Sequence, residues 1–159
     1  MEAYFKKFVQ IGILVNDLDE AIRNFKEKFG IGPWKKQSLN PALFPGMTVD
    51  GKPSDLKNEC AFCEAYGMEW ELIQPISDSP YKEWLDKHGP GIQHLSFIPR
   101  ESFDDTLDYV KQTTGKELWL RGRCPEVGMD FAYLDLKNEL GFLLEIHNED
   151  RSAMPGHEF

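Results

Sequence analysis

The chain has 159 residues, of which 41% are hydrophobic and 28% charged, and a formal net charge of -9. That length suits one domain or two small halves sharing a core, and the acidic balance argues against nucleic acid or an anionic membrane as partner, because phosphate binding needs a basic surface. No apolar run reaches a membrane span, the first residues do not read as a signal peptide, and three cysteines, an odd number, favour a reducing compartment, so a cytoplasmic protein is expected.

Residues 8–15 alternate loosely and are rich in β-branched side chains, as a mostly buried strand is, with Gln10 on the face of Phe8, Gly12 and Leu14. Asp17 and Glu20 form a capping-box-like start to a helix whose apolar face is Leu18, Ile22, Phe25 and Phe29, and Gly30 ends it. Residues 31–36 read as a short strand entered through a tight turn. Residues 39–57 carry Pro41, Pro45, Gly46, Gly51 and Pro53 among Leu43, Phe44 and Met47. So long a loop with so many apolar side chains is expected to be a flap over a pocket. Residues 59–66 and 68–74 then read as a hairpin turning near Gly67.

Ser77-Asp78-Ser79-Pro80 supplies a helix start with proline in the first turn, and residues 81–88 form a short helix ended by Gly89. A strand over residues 92–98 follows, with His94 on the face of Ile92 and Ser96. Residues 100–115 are a second amphipathic helix, with Phe103, Leu107 and Val110 on one face. Three more strands are predicted over 117–121, 129–136 and 141–147, with turns at Cys124-Pro125 and Lys137-Asn138. Residues 149–159 read as a loose polar tail.

The order is therefore strand, helix, three strands, a linker helix, then strand, helix, three strands again: an internal repeat of elements with little identity. The polar positions repeat too. Gln10 is on the first strand of the first half and Glu71 on its last, while His94 and Glu145 hold those places in the second half. Each alone has an ordinary explanation, as a hydrogen-bonded core amide, an exposed strand carboxylate, a satisfied core histidine or half an ion pair. Recurrence at equivalent places in two modules favours one shared site. Cys60 and Cys63 form a CxxC, but an odd separation on a strand points the sulfurs to opposite faces, so they are read as packing residues. His88, His147 and His157 have no repeat partner and are assigned no role.

Paired βαβββ modules with these polar positions resemble the vicinal oxygen chelate superfamily over nearly the whole chain. The resemblance is carried by Gln10-Ile-Gly-Ile-Leu-Val, Phe29-Gly-Ile-Gly-Pro-Trp, Glu71-Leu-Ile-Gln-Pro, Gly91-Ile-Gln-His94-Leu-Ser-Phe and Leu144-Glu145-Ile. Within it, the Glu-Leu-Ile-Gln-Pro stretch, the helix Tyr81-Lys-Glu-Trp-Leu and the Gly-Ile-Gln-His strand are most similar to methylmalonyl-CoA epimerases. The resemblance implies an α+β fold in which two βαβββ modules form a curved mixed sheet around a central metal cavity. It further implies a single domain over residues 1–159, with module 1 at about 6–76, the linker helix at about 78–89, module 2 at about 91–148 and the tail at 149–159.

Carried over residue by residue, the metal shell falls on Gln10, Glu71, His94 and Glu145, and three oxygen donors with one imidazole suit Co, Mn, Ni or Zn. Epimerases typically carry histidine where this chain has Gln10, and a Gln, Glu, His, Glu set resembles one type of glyoxalase I. The expected activity is an epimerase of the methylmalonyl-CoA type, removing a proton next to a thioester through a metal-stabilised enolate. Glu145 would be one base and Glu59 a weaker candidate for the second. The alternatives are a glyoxalase I-like lyase (lactoylglutathione lyase) and a metal-free small-molecule binding or resistance protein. The implied partners are a small-molecule substrate, either an acyl-CoA thioester or a thiol adduct, and a second copy of the chain in a homodimer. Lys35, Lys36, Lys52, Arg121 and Arg123 are candidates to meet CoA phosphates.

Overall fold

The computed structural model describes residues 4–126 and 128–148, so the predicted tail lies outside the described residues. The first half runs β1 (Phe5–Leu14), α1 (Leu18–Arg23), β2 (Lys35–Leu39), β3 (Thr48–Val49), β4 (Lys52–Pro53), β5 (Asn58–Ala65) and β6 (Met68–Pro75). Helix α2 (Pro80–His88) links it to the second half: β7 (Gly91–Pro99), α3 (Phe103–Thr114), β8 (Leu120–Cys124), β9 (Met129–Leu136), the short α4 (Lys137–Leu140) and β10 (Phe142–His147).

Helix starts follow the expected chemistry. Asp17 Oδ1 accepts from the Glu20 amide at 2.8 Å, and Ser79 Oγ accepts from the Lys82 amide at 3.3 Å ahead of Pro80 in the first turn. Helix α1 ends differently from expectation. It runs into a π-helical turn over Asn24–Lys28, and Phe29, predicted on the apolar face, lies beyond it at φ -124° and is 71% exposed.

The ten strands among the described residues join one mixed, unclosed sheet in the order β2-β5-β6-β1-β7-β10-β9-β8-β3-β4. At its centre β1 and β7 run antiparallel, and each is flanked by the parallel last strand of its own half, β6 and β10. The first and last strands of both halves are thus neighbours. The convex face is covered by α1 on the first half, through Leu18, Ile22 and Phe25, and by α3 on the second, through Phe103, Leu107 and Val110.

The concave face holds the largest apolar cluster, with strand residues Phe62, Ile73, Phe131, Tyr133 and Leu143. Two further segments fill it. Tyr81 and Leu85 enter from α2, and Phe44, Met47 and Leu56 enter from the stretch predicted as a flap. That stretch carries a hairpin of its own, and its strand β3 pairs with β8 at the far edge of the other half, Thr48 with Arg121 and Val49 with Leu120. The Asp50 amide adds a 2.8 Å bond to the Trp119 carbonyl.

Two register shifts in the central pair decide which side chains turn toward the cavity. One falls between Phe8 and Gln10, so Phe8 stacks on Phe97 of the convex cluster while Gln10 faces the cavity. This corrects the expectation that they share a face: an extra residue reverses the alternation. The other adds Gln93 to β7 beside His94.

Candidate active site

Four polar side chains stand on the concave face where β6, β1, β7 and β10 lie side by side: Gln10, Glu71, His94 and Glu145, each no more than 1% exposed. They converge on one atom. His94 Nε2 is 3.2 Å from Gln10 Oε1, 3.5 Å from Glu71 Oε2 and 3.3 Å from Glu145 Oε2. The strand arrangement explains the meeting, since Gly12 pairs with both Glu71 and His94, and Ser96 pairs with both Gln10 and Glu145. Gly12 leaves room for the imidazole, because a Cβ there would sit 1.8 Å from His94 Cε1.

The tautomer of His94 bears on what this arrangement can hold. Its Nδ1 lies 3.0 Å from Gln93 Oε1, which the bulge at Gln93 turns toward the ring. An amide oxygen only accepts, so Nδ1 carries a hydrogen here, and in the neutral ring Nε2 would present its lone pair to the three oxygens. The separations from Nε2, 3.2 to 3.5 Å, lie near the roughly 3.0–3.4 Å between neighbouring ligands of an ion with bonds of about 2.1 Å. Among the described residues no three His, Cys, Asp or Glu side chains form a ready cation site by themselves. The Gln10 amide oxygen is the fourth donor that could join His94, Glu71 and Glu145 around a cation.

The sequence reading missed three groups here. His147, left without a role at the end of a strand, is fully buried, with Nε2 3.1 Å from Glu145 Oε1 and Ser96 Oγ 3.3 to 3.5 Å from its ring nitrogens. Glu69 accepts a 2.6 Å hydrogen bond from Gln10 Nε2. Tyr81 reaches in from α2: burial pushes its phenol well above the usual tyrosine range, a hydrogen bond with Tyr133 offsets part of this, and the charges of Glu145 and Glu71 add to the rise. The rings of Tyr81 and His94 both meet Tyr133 edge-on, at 5.9 and 5.0 Å. Polar spacing along β6 could have signalled Glu69; nothing local signals Tyr81.

Glu59 stands apart from these groups. Its neighbour Cys60 belongs to the concave cluster, so Glu59 turns to the other face, where Ser38 Oγ donates to it at 2.6 Å. Its position does not support the expectation of Glu59 as a second base. Cys60 and Cys63 do point to opposite faces, and Cys60, Cys63 and Cys124 are buried and outside any disulfide.

The candidate phosphate-binding cations are largely engaged by carboxylates. Arg121 lies 3.3 Å from Asp130 and 3.4 Å from Asp104, Arg123 lies 3.7 Å from Asp130, and Lys36 pairs with Asp19. A cleft of about 700 Å³ opens between the β3–β4 hairpin and α2, and Asp50, Asp78, Glu83 and Asp86 outnumber Lys52 and Lys82 along it. No helix among the described residues is long and apolar enough to cross a membrane.

A family model described as the Glyoxalase/Bleomycin resistance protein/Dioxygenase superfamily matches residues 9–100. No curated protein matches the chain. Among solved structures, a hypothetical protein from Bacillus halodurans C-125 is 22% identical with a TM-score of 0.69, the match covering 94% of this chain and 98% of that one. Methylmalonyl-CoA epimerase from Mycobacterium tuberculosis is 22% identical with a TM-score of 0.65, covering 92% and 91%. A variant of Streptomyces coelicolor methylmalonyl-CoA epimerase, in complex with 2-nitronate-propionyl-CoA, is 19% identical with a TM-score of 0.64, covering 90% and 94%. At these identities the likeness is one of fold.

Proposed function

The chain belongs to the glyoxalase/bleomycin resistance protein/dioxygenase superfamily, and from that membership we propose that it is a metal-dependent isomerase of the methylmalonyl-CoA epimerase type, moving a proton on the carbon beside a thioester carbonyl. One observation carries this reading: donors from the first and last strands of both halves meet at His94 Nε2 on the buried concave face of the sheet.

Gln10, Glu71, His94 and Glu145 would hold the ion, with Co, Mn, Ni or Zn suited to three oxygens and one nitrogen. A divalent cation held there supplies positive charge that offsets the oxyanion developing as the proton leaves. Glu145 is the residue we assign to the proton transfer, as a carboxylate of the shell standing beside the ion. Tyr81, held protonated, is a hydrogen-bond donor beside the two carboxylates. Phe44, Met47 and α2 exclude water from the cavity, so substrate entry requires that flap or helix to move aside.

A specific observation favours a second reading. Gln10 stands where epimerases typically carry histidine, and a Gln, Glu, His, Glu set resembles one type of glyoxalase I, which points to a lyase acting on a thiol adduct such as a glutathione hemithioacetal. The deciding experiment follows two reactions with the Co-loaded protein: loss of the α-proton of methylmalonyl-CoA into deuterated water, and conversion of the methylglyoxal–glutathione adduct to lactoylglutathione. Turnover of the first supports the leading reading and turnover of only the second replaces it. Turnover of neither, with tight metal-free binding of a small molecule, would leave a binding protein. We infer a homodimer as well, and a monomer mass in sedimentation at micromolar concentration would remove that inference.

A further inference from the structure

Each half contributes one further buried polar side chain to its last strand, on the same face as the donor in that strand. In β6 it is Glu69, two residues before Glu71; in β10 it is His147, two residues after Glu145. The repeat does not relate them. The pairing of Gly12 with Glu71 and of Ser96 with Glu145 makes the two glutamates equivalent, so the place of Glu69 in the second half is taken by Leu143 and that of His147 in the first by Ile73. Both counterparts are core residues of the concave cluster.

We propose that Glu69 and His147 are positioning residues, which fix the atom that Gln10 and Glu145 each turn toward the cation; this rests on the reading of the four donors as a metal centre. The Gln10 side chain has two chemically opposite ends. Glu69 Oε1 accepts from Gln10 Nε2 at 2.6 Å, which holds the NH2 on that side and leaves Oε1 facing His94. Without that lock the amide can turn over and present a donor where a cation needs an acceptor. His147 acts on the choice between two oxygens. Its Nε2 faces Glu145 Oε1 at 3.1 Å while Oε2 faces His94, so one carboxylate oxygen is committed to the imidazole N–H and the other to the site. Ser96 Oγ lies 3.3 Å from the same nitrogen and 3.5 Å from Nδ1. Outer partners of this kind are commonly as consequential as the ligands they orient.

The test is calorimetric titration of Co2+ into the chelator-treated full chain, comparing the parent with Glu69→Leu, Glu69→Gln, His147→Leu and His147→Gln. Both leucine variants are expected to bind about 10- to 100-fold more weakly than the parent. His147→Gln, whose amide N–H can still reach Glu145, should stay close to the parent. Glu69→Gln keeps the volume but lets either amide end face Gln10, so it should weaken binding even if Glu69→Leu fails to fold. Two outcomes overturn the proposal: folded leucine variants that bind as the parent does, or His147→Gln binding as weakly as His147→Leu. A parent that binds no Co2+ overturns the site reading itself, which is a different result. Long-range 1H–15N correlation on the metal-free protein adds a readout independent of metal: His147 is expected as the Nε2–H tautomer, and Nδ1–H would contradict its role.

Discussion

Gly12 and His94 are cross-strand partners at the centre of the sheet, and the imidazole occupies the volume that any side chain at Gly12 would need: an added Cβ falls 1.8 Å from Cε1 and 2.2 Å from Nε2. The glycine is required by space here. Gly12→Ala must displace the ring, which also pulls Nδ1 from Gln93. We expect a stability loss of about 1–3 kcal/mol, as overpacking in a core produces, together with loss of Co2+ binding. Calorimetry and denaturant unfolding of this variant check both, and parent-like binding would show that the ring can sit elsewhere.

The proton-transfer role divides Glu145 from Glu59. Glu145→Gln should lower α-proton exchange by about 100-fold or more. Glu59→Gln changes a group on the opposite face of the sheet and should leave the rate within about twofold, since distant, independent sites add little. A large effect at Glu59 would place the second base where the strand alternation does not allow it.

Tyr81 gives stability a pH dependence at the alkaline end. Its folded-state pKa is raised by burial first and by Glu145 and Glu71 after that. The favourable contribution is therefore present in full below the unfolded value of about 10 and is lost as pH rises from there toward the folded value. Across that window the unfolded chain sheds a proton that the folded one keeps, a slope of about 1.4 kcal/mol per pH unit for one group. Tyr81→Phe should show a correspondingly shallower decline in urea stability between about pH 10 and 11. Equal slopes in parent and variant would mean that the phenol ionises in place.

The thiols should be silent in the native protein. Burial, with Glu64 adding, pushes the Cys63 thiol up, and Cys60 and Cys124 face the closed concave cluster. An aromatic disulfide reagent at neutral pH is expected to label none of the three until denaturant is added. Rapid labelling of one in the folded state would show that the cavity opens to solvent.

The flap is anchored by Phe44, which is 1% exposed and meets Phe131 edge-on at 5.0 Å. Phe44→Ala removes contacts worth about 3–5 kcal/mol in a core. Because β3 and β4 are each two residues long, the expected result is local release, seen as faster amide exchange at Asp50 and Ser54, ahead of any change in β1 or β7.

The elements were legible because their signals are local: Asp17 and Ser79 cap helices at the expected places, and apolar periodicity locates α1 and α3. The four site residues were legible because the chain states the same arrangement twice. What lay hidden depends on register. No side chain announces that the extra residues at Val9 and Gln93 reverse the alternation around Gln10 and His94, so simple alternation puts Phe8 on the wrong face and passes over Gln93. Glu69 and His147 break the repeat that exposes their neighbours. Tyr81 enters from a linker, and only the folded chain brings a linker over the cavity.

The pairing of β3 with β8 also governs how this protein can be assembled. A hairpin encoded in the first half is hydrogen-bonded to the outer edge of the second, and its apolar residues sit against Phe131 and Leu120 there. Cutting the polypeptide within α2 would therefore yield two fragments, neither able to complete its own interior. The last contacts to close must wait for synthesis to pass Cys124, well after the hairpin has left the ribosome. Until then Phe44, Met47 and Leu56 have no place to go, and the nascent chain carries them exposed.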